Sequence, residues 1–124
     1  MESSVILIAD RAWREDNGKV GLAGIFSVIN IPNFPAGVQP FYAFLRLLDM
    51  PAGHYDVVFN VISDGNHAVL SSVTAGIDLA EFQESIDLPV PIAPFVVQGP
   101  GNLSIHVSVN GLQVERFILQ VRAI

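Results

Sequence analysis

Short apolar runs separated by Gly, Pro or Asn turns follow one another from Ser4 to Ile124. The clearest run is Tyr55, Val57, Phe59 and Val61, in strict alternation with polar or smaller residues. A period of two puts successive side chains on opposite faces of a strand, so this run predicts a strand with one face inward. It is followed by Asp64-Gly65-Asn66 and a returning run from Val69 to Val73, which together read as a hairpin. A second hairpin is predicted where Leu103, Ile105, Val107 and Val109 oppose Ser104, His106 and Ser108. Asn110-Gly111 follows, a dipeptide that accepts the positive φ values of a two-residue turn. Its partner begins with Leu112 and Val114 but continues with Phe117, Leu119 and Val121, and that change of parity predicts a bulge at Glu115-Arg116.

Elsewhere the pattern is less regular. Ser4 to Trp13 and Lys19 to Ile31 read as a hairpin around Asn17-Gly18, with Gly21 and Gly24 marking a bulge or a close backbone approach in the return strand. Phe41 to Met50 reads as a strand on its aromatic content and flanking prolines. Between Gly76 and Leu88, Asp78 and Glu81 have capping-box spacing, which predicts a short helix through Gln83. Pro89, Pro91 and Pro94 then predict an extended edge segment, since proline cannot donate to a central ladder. Seven to nine strands at roughly ten-residue spacing predict one all-β domain over residues 1–124, a two-sheet antiparallel sandwich with at most one short helix.

Composition narrows the function classes. The chain has 51% hydrophobic residues and 15% charged ones, against about 25% charged in an ordinary soluble domain. Such a chain has more apolar surface than one internal face needs, so a homo-oligomer or a protein partner is expected to cover the remainder. The run Val5-Ile6-Leu7-Ile8 sharpens this, because it cannot serve a sheet buried on one side only. Ile6 and Ile8 are therefore candidates for an interaction surface, and charge placed there in turn is expected to convert an oligomer into a monomer. The net charge of −6, with six scattered basic residues, argues against a nucleic-acid partner. Without cysteine the chain has no disulfide or thiolate chemistry. Its start has neither a basic n-region nor a long apolar stretch, so no membrane association and a cytoplasmic location are expected.

Candidate chemistry is sparse. His54 and Asp56 share one strand face, as a general base and its orienting carboxylate would, or two ligands of a divalent cation in a metal-dependent hydrolase. A metal site needs three or four convergent ligands and the sequence places no others, so a solvated surface pair is the expectation, with no catalytic, metal or cofactor residues assigned. The acidic residues Asp78, Glu81, Glu84 and Asp87 recur every three positions, as the wet side of a short helix would. No serine lies in a nucleophile elbow, and Gly99-Pro100-Gly101 is a turn and not a phosphate loop. Trp13, beside Arg14, Glu15 and Asp16, is an aromatic with a polar rim that suits recognition of a sugar or peptide.

Ala9-Asp10-Arg11, Gly18-Lys19, Gly24-Ile25-Phe26, Phe34-Pro35, Phe41-Tyr42, Pro51-Ala52-Gly53-His54-Tyr55 and Asp64-Gly65 together resemble a family of small uncharacterised bacterial proteins. The resemblance covers most of the chain and implies an immunoglobulin-like or C2-like β-sandwich. It carries no catalytic or binding residues. The expected function is a non-enzymatic protein-interaction or self-assembly module, and the alternative is a ligand-binding sandwich that uses loop residues near Trp13.

Overall fold

The alternating pattern folds as it reads, into strands alone. A computed structural model describes residues 1–124. It contains β1 (Glu2–Arg14), β2 (Val20–Phe26), β3 (Val28–Ile31), β4 (Ala36–Val38), β5 (Phe41–Met50), β6 (Gly53–Ser63), β7 (Val69–Leu79), β8 (Gln83–Ile92), β9 (Phe95–Val97), β10 (Gly101–Val109) and β11 (Leu112–Ala123). Eleven strands exceed the seven to nine expected, because β3, β4 and β9 are too short to show a period.

A four-stranded sheet in the order β2-β1-β5-β8 packs on a five-stranded sheet in the order β3-β11-β10-β6-β7. All pairings are antiparallel except that of β3 with β11. The inward residues are those the alternation selects: Ile8, Ala43, Leu45 and Leu47 from the first sheet meet Val57, Phe59, Val61, Ile105, Val107 and Leu119 from the second, all fully buried. Each such Val, Leu, Ile or Phe contributes about 1.5–3 kcal/mol by leaving water. The small β4–β9 pair closes one end of the sandwich, with Val38, Phe95 and Val97 in the core and Phe95 edge-on to Phe41. The expected bulge is present: the register of β10 and β11 shifts between Val107 and Ser108, leaving Val114 unpaired one residue before Glu115.

The expected helix is absent. Gly76 to Leu79 continue β7, paired with β6 from Gly53↔Leu79 to Asp56↔Gly76, and β8 begins at Gln83. Ile77 and Leu79 alternate with Asp78, and a cross-strand partner for each residue outweighs the local capping preference of Asp78 and Glu81. The four acidic residues consequently share no face: Asp78 stands on β7 in one sheet, Glu84 and Asp87 on β8 in the other, and Glu81 in the turn between them.

The β1–β2 hairpin does not stay in the plane of its sheet. Its ladder pairs Ile8↔Phe26 and Ala9↔Ile25, omits Asp10 and Gly24, and resumes at Arg11↔Ala23 through Arg14↔Val20. At that gap Gly24 has φ 72°, a conformation that glycine adopts without strain. A Cβ there would also meet Asp10 Oδ2 at 2.5 Å. Beyond the bend, Arg14 Nη2 donates to the Asp87 carbonyl at 2.7 Å, although β5 lies between β1 and β8 in the sheet. The five residues from Asp10 to Arg14 span about 17 Å, enough to cross two strands spaced about 5 Å apart. The inward face is filled by the second sheet, so the hairpin folds back over the outward face of β5, where Tyr42, Phe44 and Arg46 stand. Phe44 is accordingly only 7% exposed and Ala9 fully buried, yet neither belongs to the main core.

Candidate functional site

The first cluster of ionisable groups lies on the outward face of β6 and β7, at the end opposite the β4–β9 cap. His54 pairs directly with Asp78 across the strands, and Asp56, two residues along, pairs with Gly76. Alternation puts all three side chains on one face. His54 Nδ1 lies 2.6 Å from Asp78 Oδ1 and Nε2 lies 2.9 Å from Asp56 Oδ1. The ring lies over Gly76, where a Cβ would sit at ordinary contact distance, 3.7 Å, from Cε1. The strand ends are held by Asn110, whose Oδ1 accepts from the Asp56 amide at 2.9 Å and whose Nδ2 donates to the His54 carbonyl at 3.3 Å.

Two carboxylates facing opposite ring nitrogens favour the imidazolium, in which both nitrogens are donors. The hydrogen bond to Asp78, then that to Asp56 and their negative charges, raise the His54 pKa above its ordinary value of 6.5. The arrangement is a clasp in solvent that favours the protonated ring. Because the two nitrogens point away from each other, the ring and its carboxylates do not converge on one point, and no grouping of three or more His, Asp or Glu side chains could hold a metal ion. The sequence paired His54 with Asp56 but missed Asp78, which it had assigned to a helix. The alternation Ile77-Asp78-Leu79 was the available signal.

A second polar group sits further along the same sheet face. Ser104, fully buried, donates to Asp64 Oδ1 at 2.6 Å and accepts from Arg116 Nε and Nη2 at 3.4 and 3.3 Å. These contacts tie the β6–β7 turn to β10 and β11, and they leave the hydroxyl with no free partner to activate it. On the other sheet, Arg46 forms a fork with Asp87 at 2.6 and 3.0 Å, and that hydrogen bond and charge raise the Arg46 pKa further.

Trp13 stands near the tip of the folded-back hairpin and is 47% exposed. Its indole lies directly against Gly21, its cross-strand partner, so close that no side chain would fit at that position. An aromatic ring laid over a strand glycine restores packing that the glycine lacks. Gly21 thus marks the close approach that its place in a strand implied, and one side of the ring remains open to solvent.

Ile6 and Ile8 do not form a surface. Ile8 is fully buried in the main core and Ile6 packs against it, opposite Ala43 and Leu45 of β5. Val5 and Leu7, on the other face, are half-buried. The two-sided apolar run is therefore served by the fold itself, inward by the second sheet and outward under the hairpin side. Charge at Ile6 or Ile8 would disrupt the core and would report nothing about assembly.

Two grooves flank the capped end. One, of about 420 Å³, is lined by Phe26, Val28, Ile29 and Phe41 with Asp10 at its rim. The other, of about 370 Å³, lies between the β6–β7 turn and the Gly99-Pro100-Gly101 turn, with Leu70, Val96 and Gln98 in its lining. A third, smaller in lining, separates Arg14 and Gly18 of the hairpin tip from Gln83, Ser85 and Asp87 of β8. No helix is long and apolar enough to cross a membrane. No curated protein matches the chain in sequence. The model of a family of unknown function, DUF6941, matches residues 4–122, nearly the whole domain, and the chain belongs to that family.

Proposed function

We propose that this domain is a non-enzymatic interaction module that associates, with copies of itself or with a protein partner, through the free edge of β7. The observation that supports this is the character of that edge. β7 is eleven residues long, pairs only with β6, and contains no proline or lysine. Its inward side chains Val73, Ala75, Ile77 and Leu79 are all half-buried, and Val69 at its start is exposed. Its one charged residue, Asp78, is engaged by His54 across the strands. Strand edges are usually blunted by lysine, proline or a bulge, because their unpaired backbone groups template another strand. β7 has a bulge at Leu70, where the register shifts between Val61↔Ser71 and Ile62↔Val69, and a bond from Ser71 Oγ to the Ala93 carbonyl at 3.3 Å; from Ser72 to Leu79 its edge has no such protection. A role without bond chemistry accords with His54, whose two nitrogens are both engaged by carboxylates, and with Ser104, whose hydroxyl is fully used. The acidic net charge favours protein partners over nucleic acid or anionic membranes, and a cytoplasmic location belongs to the same proposal.

The test is light scattering over a wide concentration range on the native chain and on Thr74→Lys, an exposed position in the middle of β7. Association of the native chain that the lysine suppresses is the expected result. A native chain that stays monomeric throughout would overturn self-association, and an assembly indifferent to the lysine would overturn the assignment to the β7 edge.

A second reading is supported by the open side of Trp13: a stacking platform for a sugar ring or a peptide aromatic. Because Trp13 is the sole tryptophan, its emission reports directly on that site. Saturable changes on adding an oligosaccharide or peptide library would favour it, and an unresponsive emission would remove it.

A further inference from the structure

The folded-back part of the β1–β2 hairpin is weakly attached to the domain: none of its side chains joins the main core or packs against it. No residue from Asp10 to Gly24 is buried: Ala12 and Val20 to Ala23 are half-buried and the rest are exposed. Its one side-chain hydrogen bond to another element is that from Arg14 to the Asp87 carbonyl. Both strands bend at one level, Asp10 opposite Gly24, where the ladder is interrupted. Beneath it lies an apolar patch of Leu7, Phe44 and Pro89, which alternation puts on the outward face of neighbouring strands. Phe44 is nearly as buried there as a core residue, although the main core does not reach it.

A segment with few buried contacts and a single bend opens at low cost compared with global unfolding. Opening leaves the patch uncovered, and the surface complementary to it is the same hairpin, available on a second copy of the chain. Exchange of an identical element between two copies keeps every native contact except those at the hinge, so it forms a dimer with little new interface. From these observations we infer that the β1–β2 hairpin is an exchangeable arm, and that two copies of this domain dimerise by laying their hairpins reciprocally over each other's β5. This rests on the interaction-module reading but assigns self-association to a different element, the hairpin and not the β7 edge.

The chain suits a direct test. Lys19, its sole lysine, follows Gly18 at the hairpin tip, and Gly18 shares a groove with Gln83, Ser85 and Asp87, next to the exposed Glu84. Equal amounts of unlabelled and ¹⁵N-labelled chain are unfolded, mixed, refolded at high concentration and treated with a carbodiimide, which joins an amine to a nearby carboxylate. The dimer fraction is then isolated and its Lys19–Glu84 and Lys19–Asp87 links are weighed. Reciprocal exchange gives about half of those links with one labelled and one unlabelled end. A dimer containing only same-label links overturns the exchange; if Thr74→Lys then dissolves that dimer, the edge reading survives without it. Gly24→Val is run in parallel, because a side chain at φ 72° that also meets Asp10 opposes the bend and should raise the dimer fraction several-fold. Gly24→Ala, which meets the same positive φ with a smaller side chain, supplies the same comparison should the valine variant fold poorly. Native, Gly24→Val and Gly24→Ala chains that all remain monomeric would overturn the exchange, and with it self-association through the β7 edge.

Discussion

The sheet formed by β2, β1, β5 and β8 is covered twice, and the two coverings differ in kind. Inward, Ile8, Ala43, Leu45 and Leu47 meet an entire second sheet and are fully buried. Outward, Phe44 and Ala9 are nearly or fully buried beneath a bent hairpin whose own residues are all partly in water. Close packing against a sheet on one side and a detachable cover on the other give similar burial values but different resistance to opening. A residue's burial therefore reports what lies over it, not how firmly that cover is held. The run Val5 to Ile8 shows the consequence: read as one two-sided strand it implied a partner, yet its inward members join the core and its outward members lie on the hairpin side.

The comparison can be broken most forcefully from the inside. Phe59→Ala removes a fully buried ring from the middle of the core and should cost about 4 kcal/mol in urea unfolding, with a cooperative transition retained. Phe44→Ala should cost less, about 2 kcal/mol, because a loosely held hairpin settles into the space more readily than two facing sheets do. Equal losses at the two positions would show that the outer cover is as firm as the core. At the hinge, Gly24→Ala should cost about 1–2 kcal/mol through the positive φ alone, and its effect should appear in the protection of the hairpin before the global transition. Arg14→Ala removes two exposed hydrogen bonds, to the Gly18 and Asp87 carbonyls, and should change global stability by about 1 kcal/mol while exposing Trp13 further, read as a red shift of its emission.

The smallest effect concerns the clasp at His54. Its pKa is raised in the folded state, so its contribution is fully present below the unfolded value near 6.5 and is lost as pH rises through the raised folded value. Relative to His54→Gln, the native chain should therefore lose part of its stability advantage above about pH 6.5, measured by urea midpoints at several pH values. A constant difference across that range would mean that Asp56 and Asp78 do not hold the ring charged.

The architecture was largely legible in the sequence, because alternation and turn residues act locally. Asn110-Gly111, the Val57-Phe59-Val61 face and the parity change near Glu115 each needed only their neighbours to be read, and each appears within one residue of its expected place. The helix expected across Asp78 to Gln83 failed for the opposite reason. Its capping residues are local, whereas the pairing of Asp78 with His54 joins positions 24 apart and is visible only once β6 and β7 are aligned. The functional residues were less legible still. His54 and Asp56 were singled out, but the clasp needed Asp78. Gly24 was read as an irregularity, and nothing near it announces that a bend there carries Arg14 to Asp87, 73 residues away. Contacts made by folding a hairpin over its own sheet leave no periodic trace.

Native-state hydrogen exchange, resolved amide by amide, tests most directly whether the outer cover is separable from the core. Amides of Arg11 to Ala23 should exchange through a local opening, well before those of β5, β6 and β10, and they should do so at denaturant concentrations far below the global transition. Protection of the hairpin equal to that of β5, lost only in global unfolding, would contradict it.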